Sequence, residues 1–368
     1  MYTTNLFLKT YYTKEECLVR GLDYEKEVIE RRSRCNKVLN KYWFNITARL
    51  HDTLNELIIE MEDVLNLSRD NQLILEAVYS SAIEGYYSTV AEVKEALQDG
   101  KVTREDTSKV VRNYRALRYI ADKGKLSKED ILKVDSILLN KGIKDYRKEV
   151  VNVVDDSTGE ITHYGHSVEV LEKEMSSYIE YYNQNNKFSK YQDKLIKSCI
   201  LHYIFVDIHP LKDGNGRTAR SLQFQYLINN VDNNFKNLSI SYMPKEMRIK
   251  YYTALESVES EEWDLTYFIQ TQLDIILYGV KRIKLLNRIG EVQRIITNME
   301  TESSEVFNNS RIIMKILKKL ITTNMDSMLI KRVQKLGEWE YIKEDIELLD
   351  EYLEYDEKRV YLRFKKYD

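Results

Sequence analysis

Proline is almost absent, with two residues in 368, and glycine is sparse at twelve. With 31% charged residues, that favours long helices over sheet. The three cysteines (Cys17, Cys35 and Cys199) are odd in number and lack metal or redox spacing. They read as reduced structural thiols. The opening MYTTNLFLKTYYTKEE has no basic segment followed by an apolar core, and no apolar run reaches membrane length. The expectation is a cytoplasmic protein with no membrane partner. A net charge of −3 gives no general pull toward nucleic acid, so nucleic acid is not expected as a partner. Internal repeats and low-complexity segments are absent from the sequence.

What is present is concentrated between residues 209 and 220: His209-Pro210-Leu211-Lys212-Asp213-Gly214-Asn215-Gly216-Arg217-Thr218-Ala219-Arg220. The segment YQDKLIKSCILHYIFVD before it carries apolar residues at helical spacing, and SLQFQYLI after it reads helical again. The chain therefore parses as helix, tight Gly-Asn-Gly loop, second helix. Such a loop points backbone N–H groups outward at the positive end of a helix dipole, which suits phosphate. Around it stand an imidazole, a carboxylate able to hold a hard cation, and two guanidiniums. Taken singly, His209 is an ordinary turn residue, Asp213 an ordinary cap, and Arg217 and Arg220 ordinary surface charges. Their coincidence points to a nucleotide. The run is not a Walker A loop, because no lysine follows Gly216.

The run resembles the signature of the Fic family, H-x-F-x-[D/E]-G-N-G-R-x-x-R, with Leu211 where the family usually has phenylalanine. That exchange keeps an apolar wedge under the loop at a cost of about 1 kcal/mol. The resemblance implies transfer of AMP from ATP to a protein hydroxyl. It makes His209 the general base, Asp213 the Mg²⁺ (or Mn²⁺) ligand, and Gly214, Asn215 and Gly216 the α-phosphate cradle. Arg217 would take the β-phosphate and Arg220 the γ-phosphate.

Upstream, SRDNQLILEAVYSSAIEGYY reads as a helix with Ser68 as N-cap and ends in Ser80-Ser81-Ala82-Ile83-Glu84-Gly85. Read locally, Glu84 is a helix-terminal charge followed by a C′ glycine, and a carboxylate there wants a partner. The segment also matches the family's inhibitory motif, [S/T]-x-x-x-E-[G/N]. The resemblance then implies that Ser80, Glu84 and Gly85 form a brake, with Glu84 paired to Arg220. Thr89 and Glu92 spell a capping box for the next helix.

The β-branched runs Val150–Val154 and Glu160–Tyr164, around Asp155-Asp156-Ser157-Thr158-Gly159, read as a hairpin. It resembles the family's flap, so an unidentified target protein is expected along residues 150–164. His163 and His166 have no third ligand nearby in sequence and read as flap or turn residues rather than a zinc site. The stretch YYTALESVESEEWDLTYFIQTQL resembles the family's helices after the signature, which makes Tyr252 the candidate for lining the adenine pocket.

The expected fold is mainly α. It consists of an N-terminal helical region (1–105), a Fic-fold helical bundle with its β-hairpin flap (106–285), and a small C-terminal region (286–368). The last reads as helical at RIIMKILKKLI, SMLIKRVQKL and YIKEDIELLDEYL, then strand-like at RVYLRF, a winged-helix-like pattern. Residues 310–368 hold thirteen Lys/Arg against twelve Asp/Glu, so a protein-interaction or homodimerisation module is favoured over DNA binding. Within the family's repertoire, removal of AMP with Glu84 aligning a water and transfer of a different nucleotide remain as alternatives. A non-enzymatic regulator built on the same core is the alternative of a different class.

Overall fold

A computed structural model describes residues 6–7, 14–39, 41–62, 69–102, 104–154, 159, 161–184, 190–302, 312–313, 315–316, 327–347 and 353–362. Their contacts form two compact units, Met1–Gly279 and Val280–Asp368. The N-terminal helices and the 106–279 segment fall in one unit.

In the first unit, helices α1 (Lys14–Arg20) and α2 (Tyr24–Ser33) lead through a short antiparallel ladder, β2 (Asn36–Val38) with β3 (Tyr42–Phe44). Strand β1 (Leu6–Phe7) pairs with β4 (Ile46–Thr47) in parallel. Then come α3 (Ala48–Glu62), α4 (Arg69–Ile83), α5 (Val90–Asp99), α6 (Glu105–Ala121) and α7 (Lys128–Leu139). The hairpin β5 (Asn152–Val154) and β6 (Ile161–Tyr164) precedes α8 (Val168–Asn183), α9 (Tyr191–Ile208) and α10 (Asn215–Tyr226). Helix α11 (Lys245–Ser260) follows, and α12 (Thr266–Glu302) begins in this unit. No helix among the described residues is long and apolar enough to cross a membrane.

The first unit is organised around α9. Leu195, Ile196, Cys199, Ile200, Leu201, Ile204, Phe205 and Ile208 are all buried, so apolar side chains emerge on every face of this helix. A helix of that kind is stable only when surrounded. It packs on α3, α8 and α10. Helix α6 in turn packs on α4, α5, α7 and α10, linking the 80–85 and 209–220 segments through one intervening helix. The capping box is present: Thr89 Oγ1 accepts from Glu92 N at 3.2 Å, and Glu92 Oε2 accepts from Thr89 N at 2.7 Å. Ser68 lies outside the described residues.

The hairpin pairs Asn152 with Tyr164 and Val153 with His163, then slips register to pair Val154 with Ile161. Val150, Val154, Ile161 and Tyr164 are exposed on it. Its turn at 155–158 lies outside the described residues.

In the second unit, strand β7 (Ser327–Leu329), helix Ile330–Val333, helix Trp339–Glu347, β8 (Leu353–Tyr355) and β9 (Arg359–Leu362) make a small sheet ordered β7-β9-β8. The expected strand at RVYLRF is β9. Two helical expectations are corrected. SMLIKRVQKL opens as a strand over Ser327–Leu329, and YIKEDIELLDEYL ends as one from Leu353. Both are short apolar runs in which helical and strand spacing coincide over three residues. RIIMKILKKLI lies mostly outside the described residues.

Candidate active site

Helix α9 ends at Ile208, and His209 then adopts left-handed backbone, φ 54° and ψ 55°. Few non-glycine residues tolerate that conformation, and it turns the imidazole out of the helix. Its Nδ1 lies 3.2 Å from Val206 O, a carbonyl that can only accept. Nδ1 therefore carries the proton and Nε2 the lone pair. Burial holds this imidazole down to about 4, and the Arg147 guanidinium adds to the effect. At neutral pH His209 is an unprotonated base.

Arg147, which sequence reasoning missed, braces this turn. Its Nε donates to His209 O at 2.6 Å, Nη1 to Glu149 O at 2.9 Å, and Nη2 to His166 O and to Ile208 O at 3.3 Å. The Arg147 amide donates to Pro210 O at 3.0 Å. One guanidinium thus ties the end of α9 to the root of the hairpin. Gly165 makes room for it: a Cβ there would lie 2.5 Å from Val151 O and 3.1 Å from Arg147 Nη2. No local pattern marks Arg147, because its side-chain bonds reach up to 62 residues along the chain.

Between α9 and α10 the loop is held from within. Leu211 is buried under it, as expected of the wedge position. The Asn215 side chain accepts from Leu211 N at 2.9 Å and donates to Leu211 O at 2.8 Å. These two bonds fix the Asn215 side chain within the loop and spend one of the two hydrogens on its Nδ2. Gly214, at φ 80°, is the N-cap of α10, and no side chain caps the helix. The first-turn amides of α10 thus present their positive end outward.

Arg217 and Arg220 leave α10 one turn apart and are both buried. Arg217 sits 5.3 Å from the Tyr86 ring centroid and 3.8 Å from Asp213 Oδ1. Its buried Nε has no partner among the described residues. Arg220 is the opposite case. Nε donates to Ser80 Oγ at 2.9 Å, and Nη2 donates to Ser80 O at 3.0 Å and to Glu84 Oε1 at 2.6 Å. Burial opposes the Arg220 charge, but Glu84 more than offsets it and raises the guanidinium pKa.

Glu84 reaches Arg220 because α4 stops in the right place. Gly85 takes φ 80°, Tyr86 N bonds Ser81 O at 3.0 Å, and Gly85 N bonds Ala82 O at 3.2 Å. This closure of a helix end through a left-handed glycine satisfies its last carbonyls. Tyr252 on α11 donates to Ile83 O at 3.0 Å, and Asn113 on α6 donates to Ala77 O at 3.2 Å. Glycine at 216 leaves room for the same contact: a Cβ there would lie 2.6 Å from Glu84 Oε1 and push the carboxylate aside.

These groups open onto one cavity of about 180 Å³, lined by Glu84, His209, Gly216, Arg220, Tyr251 and Tyr252, with Val153 and His163 from the hairpin. Tyr251 is fixed in its wall by His202, whose Nε2 is 3.0 Å from the phenol oxygen. Nothing in the sequence singles His202 out. Asp213 stands outside the cavity lining: one carboxylate oxygen accepts from Gly214 N at 2.6 Å, and the side chain is 62% exposed. Nearby Asp135 is raised to about 6, chiefly by burial, with the Asp213 charge adding to it.

A mainly helical bundle that aims a neutral histidine, an uncapped helix N-terminus and a carboxylate-paired arginine into one cleft is a scaffold for handling anionic substrates. Residues 125–227 match the Fic/DOC family model. Among curated proteins, the chain is 24% identical over 311 residues to "Protein adenylyltransferase fic-1" of Caenorhabditis briggsae, covering 80% of this chain and 56% of that protein. The fic-1 of Caenorhabditis elegans aligns over 312 residues at the same identity, with the same two shares. The chain thus spans about half the length of the curated relatives it matches. A Fic family protein from Desulfovibrio desulfuricans shares the fold at a TM-score of 0.53 and 18% identity, over 86% of this chain and 97% of that one. Fic-1 of C. elegans does so at 0.51 and 21% identity, over 69% and 73%.

Proposed function

We propose that this protein is a protein adenylyltransferase that moves AMP from ATP to a hydroxyl side chain of a target protein. The observation that carries the reading is a single cleft shared by the open Nε2 of His209, the bare N-terminus of α10 and the Arg220 guanidinium. The names borne by the curated relatives agree with it.

His209 Nε2 accepts the proton of the incoming hydroxyl, whose oxygen attacks the α-phosphorus. The bond from that phosphorus to the bridging oxygen of the β-phosphate breaks, and pyrophosphate leaves. Backbone N–H groups of Asn215 and Gly216 receive the charge that grows on the α-phosphate oxygens. Arg217 and Arg220 hold the β- and γ-phosphates with planar forks that lysine could not offer. Asp213 suits Mg²⁺ or Mn²⁺: it is an exposed carboxylate with one oxygen uncommitted. Among the described residues no group of three or more protein ligands surrounds it. A small hard cation that keeps its waters and leans on substrate phosphates fits that donor set and would supply charge neutralisation there.

The target lies as an added strand along residues 150–164, whose exposed valines, Ile161 and Tyr164 offer an apolar edge. In the resting state Glu84 occupies the guanidinium that the γ-phosphate needs, so the wild-type protein is braked.

The test is incubation with ATP labelled at the α- or the γ-phosphate, with and without EDTA. Protein should acquire the α-label alone, and only with the divalent cation. Asp213→Ala should lose most of the activity and most of the cation dependence. Retention of the γ-label, or an EDTA-insensitive reaction, would overturn the reading or the metal assignment respectively.

A further inference from the structure

Behind the catalytic turn lies a second charged cluster that the adenylyl-transfer scheme does not use. His166, just after β6, has Nδ1 2.5 Å from Glu174 Oε2 on α8 and Nε2 3.0 Å from Asp207 Oδ2 on α9. A neutral imidazole has one N–H and cannot donate to two carboxylates, so the geometry fits the imidazolium. Lys41, in the turn between β2 and β3, places Nζ 3.0 Å from the same Asp207 oxygen and 3.3 Å from His166 Nε2. Tyr42 also donates its hydroxyl to that oxygen. Lys41 rests over the Trp263 ring, 3.3 Å from its centroid. With His166 protonated, two cations face two anions. Without that proton, the Asp207 carboxylate, about 1% exposed, is left in negative excess.

The cluster holds both sides of the catalytic turn. Asp207 lies two residues before His209, and its carbonyl accepts from His163 Nε2 of the hairpin at 2.9 Å. The His166 carbonyl accepts from Arg147, which also binds the carbonyls of Ile208 and His209. Arg147 also faces His166, and it does so through the main chain.

We propose that His166 is a positioning residue for the transfer reaction. As the imidazolium bridging Glu174 and Asp207, it fixes the 207–210 turn and the hairpin root, and loss of that proton releases both. The inference rests on the transfer reading for its effect on rate. Burial alone would depress the His166 pKa, but its bonds to Asp207 and Glu174 outweigh burial and the balance lies above the ordinary 6.5. The stabilising contribution is thus complete below that ordinary value and is lost as pH rises through the raised one.

The experiment follows three quantities in the full chain from about pH 5.5 to about pH 9.5. They are the imidazole NMR titration of His166, the exchange protection of the Gly165 amide (3.0 Å from Val151 O), and kcat for AMP transfer. His166 should titrate above 6.5. Across that titration protection and kcat should each fall roughly tenfold with a shared midpoint, while KM for ATP holds steady, as expected when a base is misplaced. His166→Gln should be low and flat across the range. Glu174→Gln, which keeps the fold's shape, should lower the His166 titration and shift both curves with it. Titration at or below the ordinary value, or a His166→Gln profile that follows wild type, would overturn the proposal. If no variant transfers AMP, the transfer reading fails, and the titration and protection curves decide whether His166 fixes the turn.

Discussion

Two histidines flank the same turn and are pushed in opposite directions. At the end of α9, burial of His209, with a guanidinium nearby, outweighs the carbonyl that meets one of its nitrogens, so its proton is expelled. At the hairpin root, His166 is also buried but meets a carboxylate on each nitrogen, so its proton is held. Burial acts alike on both; the charge facing the ring decides the sign. A base and a charged brace can thus sit on adjoining segments of one fold, with Arg147 and Asp207 joining them.

The comparison breaks most severely at His209. Replacing it with Ala should lower kcat by roughly 10²- to 10⁴-fold, the usual worth of a general base, with ATP affinity nearly unchanged. Isothermal titration beside a label-transfer assay separates the two. Equal losses in both would mean that His209 belongs to the binding site instead.

Gly165→Ala strikes the joint between the two histidines. The new Cβ meets the Val151 carbonyl, a main-chain atom that cannot step aside cheaply. Overpacking of this kind costs about 1–3 kcal/mol, which thermal unfolding will register. An unchanged Tm would show that the hairpin root has slack.

The smallest effect is the acid limb of the rate profile. With the His209 pKa near 4 and its unfolded value at the ordinary 6.5, the base stays competent down to mildly acidic pH. Its folding contribution is full above the ordinary value and declines as pH falls toward 4. A kcat that collapses already between pH 6 and 7 would place the His209 pKa near its ordinary value and deny the burial argument.

How much of this was legible follows from where the partners lie. The 209–220 run could be read because its helix end, nest and two guanidiniums are contiguous, and the Ser80–Gly85 helix end because a C′ glycine announces itself locally. The hold of the Asn215 side chain on Leu211 went unread, although a side-chain amide within a tight loop readily bonds nearby main chain. Arg147, Asp207 and the task of His166 were not legible. Their meaning rests on contacts between segments up to 166 residues apart, and no period or spacing records those. The short strands β7 and β8 were hidden because three apolar-flanked residues satisfy either period.

The account's central claim is that a nucleotide transfer site exists and that Glu84 occupies it. It is tested most directly by comparing wild type with Glu84→Gly for incorporation of AMP from α-labelled ATP. Removing the carboxylate frees Arg220 and relieves repulsion against the incoming phosphates, so Glu84→Gly should bind ATP more tightly and modify protein, itself included, at least about tenfold faster. It should also melt earlier without nucleotide, by up to about 3 kcal/mol, and recover more stability than wild type when ATP is added. Equal incorporation and equal ATP affinity in the two proteins would contradict the account, leaving Glu84 as no more than the end of a helix.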